Sequence, residues 1–292
     1  MMKRSWSKIA LALGFVASTA AFNVAQAESL VGITTDNQIG VFDSANVAAA
    51  AFVNISGLSA GESLIGIDLR PSNNTLYGIS SASNLYTVDA YSGAASFVAA
   101  LSGYAIDSRL GYGLDFNPVA DRTAAASLRV VSSAGDNLAV NVATGVVGNQ
   151  ANTIAPGYSA VAYANSDPSV TATATQLYYL NSATDTLSVA PSAFNTPSIS
   201  LIGAIGLDIL NANGFELFSN GNAFAIVNTD NGTLDSQLLG INLSTGAGTL
   251  LGTFNGTLNG LAAAPSAVPV PAAAWLFGSA LMGFAGFRRK SV

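Results

Sequence analysis

Between residues 30 and 262 the chain consists of short stretches in which apolar side chains alternate with small or polar ones, each bounded by Gly, Asn, Asp or Ser. Period-two alternation with such turn residues predicts β-strands joined as hairpins. Long helices are not expected, because no interior window keeps apolar residues three and four positions apart. One strand type recurs, at residues 64–69, 111–116, 159–163, 214–217 and 258–262. With Gly66, Gly113, Ala160, Gly214 and Gly260 as markers, the spacings are 47, 47, 54 and 46 residues. That is the length of a four-stranded propeller blade. In the fourth repeat, residues 206–209 fit the same strand and leave its register open.

Later strands also recur, at residues 84–89, 137–141 and 239–243, each followed by a turn ending in Gly93, Gly145 or Gly246. The last opening strand, 258–262, has no successors, whereas segments 30–34, 38–42 and 50–55 look like later strands without a first one. Joining the two ends completes a fifth blade and removes the open sheet edges that invite aggregation. The expected fold class is therefore all-β: a β-propeller over residues 29–265, with five four-stranded blades closed by pairing of N- and C-terminal strands. The alternative, a β-helix or other solenoid, calls for shorter and more regular coils.

Composition narrows the chemistry. The 292 residues include no Cys and no His. This excludes thiolate or imidazole metal sites, disulfides, Cys nucleophiles and Ser-His-Asp relays. Six of the ten cations sit at the ends, as Lys3, Arg4 and Lys8 and as Arg288, Arg289 and Lys290. Arg70, Arg109, Arg122 and Arg129 are left against sixteen acids, a net −12 for the middle of the chain. Such a surface repels nucleic acid and anionic headgroups, so neither is an expected partner.

The ends read as addresses. Lys3, Arg4 and Lys8 precede an apolar run over residues 9–17, and Ala25-Gln26-Ala27 has the small-x-small pattern read by signal peptidase. A signal peptide over residues 1–27, cleaved after Ala27, is expected. At the other end Val268, Pro269, Val270, Pro271 and Ala272 lead into an apolar run over 272–287, followed by the basic cluster Arg288, Arg289 and Lys290. Sixteen helical residues span roughly 24 Å against about 30 Å of hydrocarbon. The run can cross marginally, with the basic cluster on the cytoplasmic side.

Motif, apolar run and basic end over residues 268–292 resemble the PEP-CTERM bacterial sorting signals, in the variant with a VPLPA-type motif. Val270 stands where the best-known form carries Glu. The resemblance implies export through the inner membrane and transient anchoring. It further implies recognition by an exosortase-type membrane protease, removal of the helix and release to the cell surface or an exopolysaccharide matrix. A permanent single-span anchor is the alternative.

Residues 61–71, with Asp68-Leu69-Arg70-Pro71, and residues 113–122, with Gly113-Leu114-Asp115-Phe116-Asn117-Pro118 and Asp121-Arg122, resemble a bacterial family known only as a domain of unknown function, whose members are exported and propeller-like. Residues 128–132 and 160–165 fit it too. The chain departs from that pattern by inserting residues 123–127 and by carrying Ala139 where an Arg is usual. The family carries no established activity to this chain.

Asp68, Asp115 and Glu216 hold one place in three opening strands, which in a propeller line the central channel. They are the candidate cation or polar site, since carboxylates with backbone carbonyls suit a hard cation such as Ca²⁺. The competing reading is structural: Asp68 with Arg70, or Asp115 with Arg122, satisfy each other or cap turns. Asn117-Pro118 with Asp121-Arg122 reads as a turn pinned by side chain to backbone bonds. Tyr77, Tyr86, Tyr112, Tyr163 and Tyr178 would stack on sugars if exposed, but alternation puts most of them in or beside strand cores. No catalytic residue is assigned and no cofactor is expected beyond a Ca²⁺ ion. The leading functional reading is a non-enzymatic surface or matrix module associated with exopolysaccharide. Its alternatives are a propeller hydrolase or lyase acting on glycans through carboxylates, and a Ca²⁺-stabilised structural protein.

Overall fold

The structure, a computed structural model, describes residues 27–266 apart from 124–126, 150–152, 167, 169–170 and 230–231. Its strands follow the repeats. The first three are β1 (Ser29–Thr34), β2 (Gln38–Asp43) and β3 (Val53–Asn54); then come β4 (Leu64–Arg70), β5 (Thr75–Ser80), β6 (Asn84–Val88) and β7 (Ala95–Ala100). The middle of the chain forms β8 (Tyr112–Phe116), β9 (Leu128–Ser132), β10 (Asn137–Val140) and β11 (Val147–Gly148). It continues as β12 (Tyr158–Tyr163), β13 (Leu177–Asn181), β14 (Thr186–Ala190) and β15 (Ser200–Ala204). The last group is β16 (Ile209–Leu217), β17 (Ala223–Thr229), β18 (Gln237–Ile241), β19 (Gly248–Thr253) and β20 (Leu258–Ala263).

These form five four-stranded sheets, ordered β20-β1-β2-β3, β4-β5-β6-β7, β8-β9-β10-β11, β12-β13-β14-β15 and β16-β17-β18-β19. We call them blades 1 to 5. The fold is thus the five-bladed propeller expected from the repeats, and blade 1 is built from both ends of the chain. Leu30 faces Ala263, Val31 faces Ala262 and Gly32 faces Leu261 across the antiparallel seam. The fourth repeat takes Gly214, not residues 206–209, as the counterpart of Gly113. A Cβ on Gly113 would lie 2.6 Å from Ala160 Cα, and one on Gly214 would lie 2.5 Å from Leu261 N. At both places the opening strand presses on the opening strand of the next blade, and only Gly allows that approach.

The core is divided between the blade seams. Tyr77, Ile79 and Leu85 of blade 2 pack on Leu114, Phe116 and Val130 of blade 3. Phe224, Ile226 and Leu238 of blade 5 pack on Leu30, Phe42 and Leu261 of blade 1. The outer turns join the same seams. Gly145 has φ +71° and a Cβ there would lie 2.0 Å from the Ala100 carbonyl oxygen of blade 2, while Ser102 N donates to Gly145 O at 2.8 Å. The glycine therefore serves both the left-handed turn and the close approach of two blades.

The described residues contain no helix long and apolar enough to cross a membrane. Ala25, the sorting motif Val268–Ala272, the run 272–287 and the cluster Arg288, Arg289 and Lys290 lie outside the described residues.

Candidate functional site

Counting two residues on from each marker gives Asp68, Asp115, Ala162, Glu216 and Ala262. One residue further are the amides of Leu69, Phe116, Tyr163, Leu217 and Ala263. Three of the five amides donate to these acids, and the other two act on them at slightly longer range. Phe116 N donates to Asp68 Oδ2 at 2.6 Å, and Ala263 N donates to Glu216 Oε2 at 2.7 Å. The Tyr163 amide favours the charged form of Asp115. In each case an acid on one blade meets the amide of the next. The remaining two amides follow blades that offer only Ala, at Ala162 and Ala262. Leu217 N therefore turns to its own neighbour Glu216, at 2.9 Å from Oε1, and the Leu69 amide turns to Asp68.

The three carboxyls are buried, with exposures of 3% for Asp68, 1% for Asp115 and 3% for Glu216. Burial pushes Asp68 well above the ordinary aspartate range, and the negative charge of Glu216 adds to it. Asp115 is raised well above that range by burial and then by Asp68 and Glu216. Glu216 rises to about 7 through burial, opposed by the amides of Ala263 and Leu217. Desolvation penalises the charged form, so burial favours the protonated state of all three. The structure brings the three acids into one electrostatic neighbourhood. Among the described residues, however, no three acidic groups are placed to hold one metal ion. Asp115 Oδ1 is buried without a hydrogen-bond partner.

The pairing of Asp68 with Arg70 is corrected by the structure. Arg70 Nε lies 2.6 Å from Asp121 Oδ1, on blade 3. Asp121 also accepts from Ser72 N at 2.9 Å and Ser127 Oγ at 3.0 Å. The Arg70 guanidinium sits 5.9 Å from the Tyr77 ring and 5.8 Å from the Phe116 ring. Likewise, Asp115 meets the Tyr163 amide where Arg122 was the expected partner. The turn itself is as expected, with Asn117 Oδ1 accepting from Val119 N and Ala120 N, both at 3.0 Å.

Both motif segments thus become a clamp between blades 2 and 3. The chain belongs to the family described as a domain of unknown function (DUF4394). The family model matches residues 38–262. No curated protein matches. Among solved structures, a protein of unknown function from Bacteroides caccae is similar at 12% identity and TM-score 0.42, over 78% of this chain and 73% of that one. One from Bacteroides thetaiotaomicron matches at 12% identity and TM-score 0.47, over 77% of this chain and 57% of its own. A putative 6-phosphogluconolactonase from Bacteroides fragilis matches at 10% identity and TM-score 0.42, over 80% and 83%.

Tyr77, Tyr86, Tyr112 and Tyr163 are buried, as alternation implies. Tyr91, which alternation did not single out, is 59% exposed. It borders a groove of about 480 Å³ on blade 2 whose lining includes Asn74, Thr87, Asp89, Ser96 and Ser266. Asn74 and Ser266 exchange two hydrogen bonds, Nδ2 to O at 3.2 Å and N to Oδ1 at 3.1 Å. The segment that follows β20 is thereby tied to the rim of the groove.

Proposed function

We propose that this family member is an exported propeller held at the cell surface or in an extracellular matrix, where it binds a partner without transforming it. The partner class is exopolysaccharide. One observation carries the reading: the channel acids are buried, and Asp68 and Glu216 are engaged in blade-to-blade amide bonds. An acid–base pair for glycan cleavage has to reach its substrate. The groove beside Tyr91 offers a different chemistry, an aromatic face among amide and hydroxyl groups, within the range of about 300–1,000 Å³ of ligand sites.

Processing at either end would leave the propeller whole, since its first strand begins at Ser29 and its last ends at Ala263. Cleavage by signal peptidase after Ala27 leaves Glu28 first, and Glu28 N already donates to Ser44 Oγ at 2.9 Å. Its Oε1 accepts from Asn220 Nδ2 at 2.6 Å and Asn222 Nδ2 at 3.0 Å. An exosortase-type protease acting at residues 268–272 would cut just beyond the tied Ser266. A glycan array and polysaccharide pull-down with the full chain in detergent test the reading. Binding is expected and should weaken several-fold in Tyr91→Ala. Turnover of a polymer, lost in Asp115→Asn, would replace it with a glycan hydrolase or lyase.

A further inference from the structure

Arg129 on β9 points into the seam between blades 3 and 4 and is 5% exposed. Its partners are all neutral. Nε donates to Tyr163 Oη at 3.4 Å, Nη1 to Asn137 Oδ1 at 3.0 Å and Nη2 to Asn195 Oδ1 at 2.8 Å. Asp115 is its direct cross-strand neighbour and keeps a buried, unpartnered Oδ1, yet no oxygen of that carboxyl comes within ion-pair distance of the guanidinium. Among the described residues Arg129 forms no ion pair, whereas Arg70 and Arg109 each have one. A guanidinium cannot shed its proton to escape burial, and buried charges are ordinarily paired.

A second observation points the same way. The hydroxyl of Tyr179, on β13, is buried with no hydrogen-bond partner. It packs in one cluster with Val131, Phe194 and Tyr163, whose hydroxyl accepts from Arg129 Nε. A guanidinium has five N–H groups, of which three are engaged here. The seam therefore holds a buried positive charge, unspent N–H donors and an orphaned O–H donor. All of these call for an anionic acceptor.

We propose that Arg129 and Tyr179 form a carboxylate-binding site, occupied by a small organic acid or by the acid group of a uronate. In the described state Asn195 Oδ1 stands in for the anion. A planar carboxylate matches the fork of the guanidinium better than a single amide oxygen does. The ligand would displace the exposed Asn195 side chain from Nη2. Its backbone carbonyl stays held by Asn137 Nδ2 at 3.4 Å and Asn149 Nδ2 at 3.1 Å. Asn195 is exposed, on the loop carrying Phe194, whose ring meets that of Tyr163 edge-on at 4.9 Å.

The test is thermal melting of the full chain in detergent with sodium acetate, sodium glucuronate or sodium chloride at matched ionic strength. A carboxylate at about ten times its Kd should raise Tm by roughly 3–5 °C over chloride. Equal shifts from both acids identify a site for free carboxylates, and a larger one from glucuronate identifies a uronate site. Arg129→Met should abolish the shift. Tyr179→Phe should weaken binding several-fold while raising the ligand-free Tm, and Asn195→Ala should tighten it. These two decide the matter if Arg129→Met does not fold. No carboxylate shift over chloride in the native chain, or equal shifts in native, Tyr179→Phe and Asn195→Ala chains, would overturn the proposal.

Discussion

Two seams of one propeller treat an arginine in opposite ways. Between blades 2 and 3, Arg70 meets Asp121 at 2.6 Å, with two aromatic rings beside it. Between blades 3 and 4, Arg129 has only neutral oxygens. The channel shows a third arrangement, in which buried carboxyls form no ion pair among the described residues but can take up protons. A carboxyl can escape the cost of burial by neutralising itself. Arginine cannot, so Arg70 is stabilised by its own acid and Arg129 is left to attract one.

The largest effect should come from breaking the paired seam. Asp121→Ala leaves Arg70 without a counter-ion and Ser72 N without an acceptor, and urea titration should record a loss of about 3 kcal/mol. Arg129→Met removes a charge that has no ion-pair partner but leaves the buried Asn137 Oδ1 without its donor, and should cost less, about 1–2 kcal/mol. Equal losses at the two sites would erase the contrast.

The channel is separated from both seams by its pH dependence. Glu216 is raised from an ordinary 4.5 to about 7, so the folded state binds its proton more tightly than the unfolded one. Its favourable contribution is fully present below about pH 4.5 and lost as pH rises through 7, on the order of 3 kcal/mol in all. Glu216→Gln should remove most of that decline, making the variant gain on the native chain between pH 5 and pH 8. A parallel pH profile for the two chains would refute the assignment.

Two smaller effects sharpen the picture. Tyr179→Phe deletes a buried donor that has no acceptor, and should raise ligand-free stability by about 1 kcal/mol. EGTA tests the Ca²⁺ alternative: amide bonds that hold Asp68 and Glu216 predict an unmoved Tm, and a fall in Tm would reveal a bound cation.

The blades were legible because an opening strand buried on both faces needs a compact apolar run with small residues where it crosses its neighbour, and this repeats in the linear chain. Gly113 and Gly214 mark that crossing, and Gly93, Gly145 and Gly246 mark the outer turns. The shared channel position of Asp68, Asp115 and Glu216 was legible from the same register. Their partners were not. Asp68 is two residues from Arg70, but accepts an amide from a strand 48 residues away. Arg70 reaches Asp121, 51 residues on.

The sequence by itself determined the strand periodicity, the number of blades and the joining of the two ends, because those follow from local alternation and from the need to cover sheet edges. Tertiary structure alone decided which acid met which donor, and that Arg129 met none. Side chains on opposite blades meet across a seam whose geometry exists only once the ring has closed, and direction and distance there outweigh nearness along the chain.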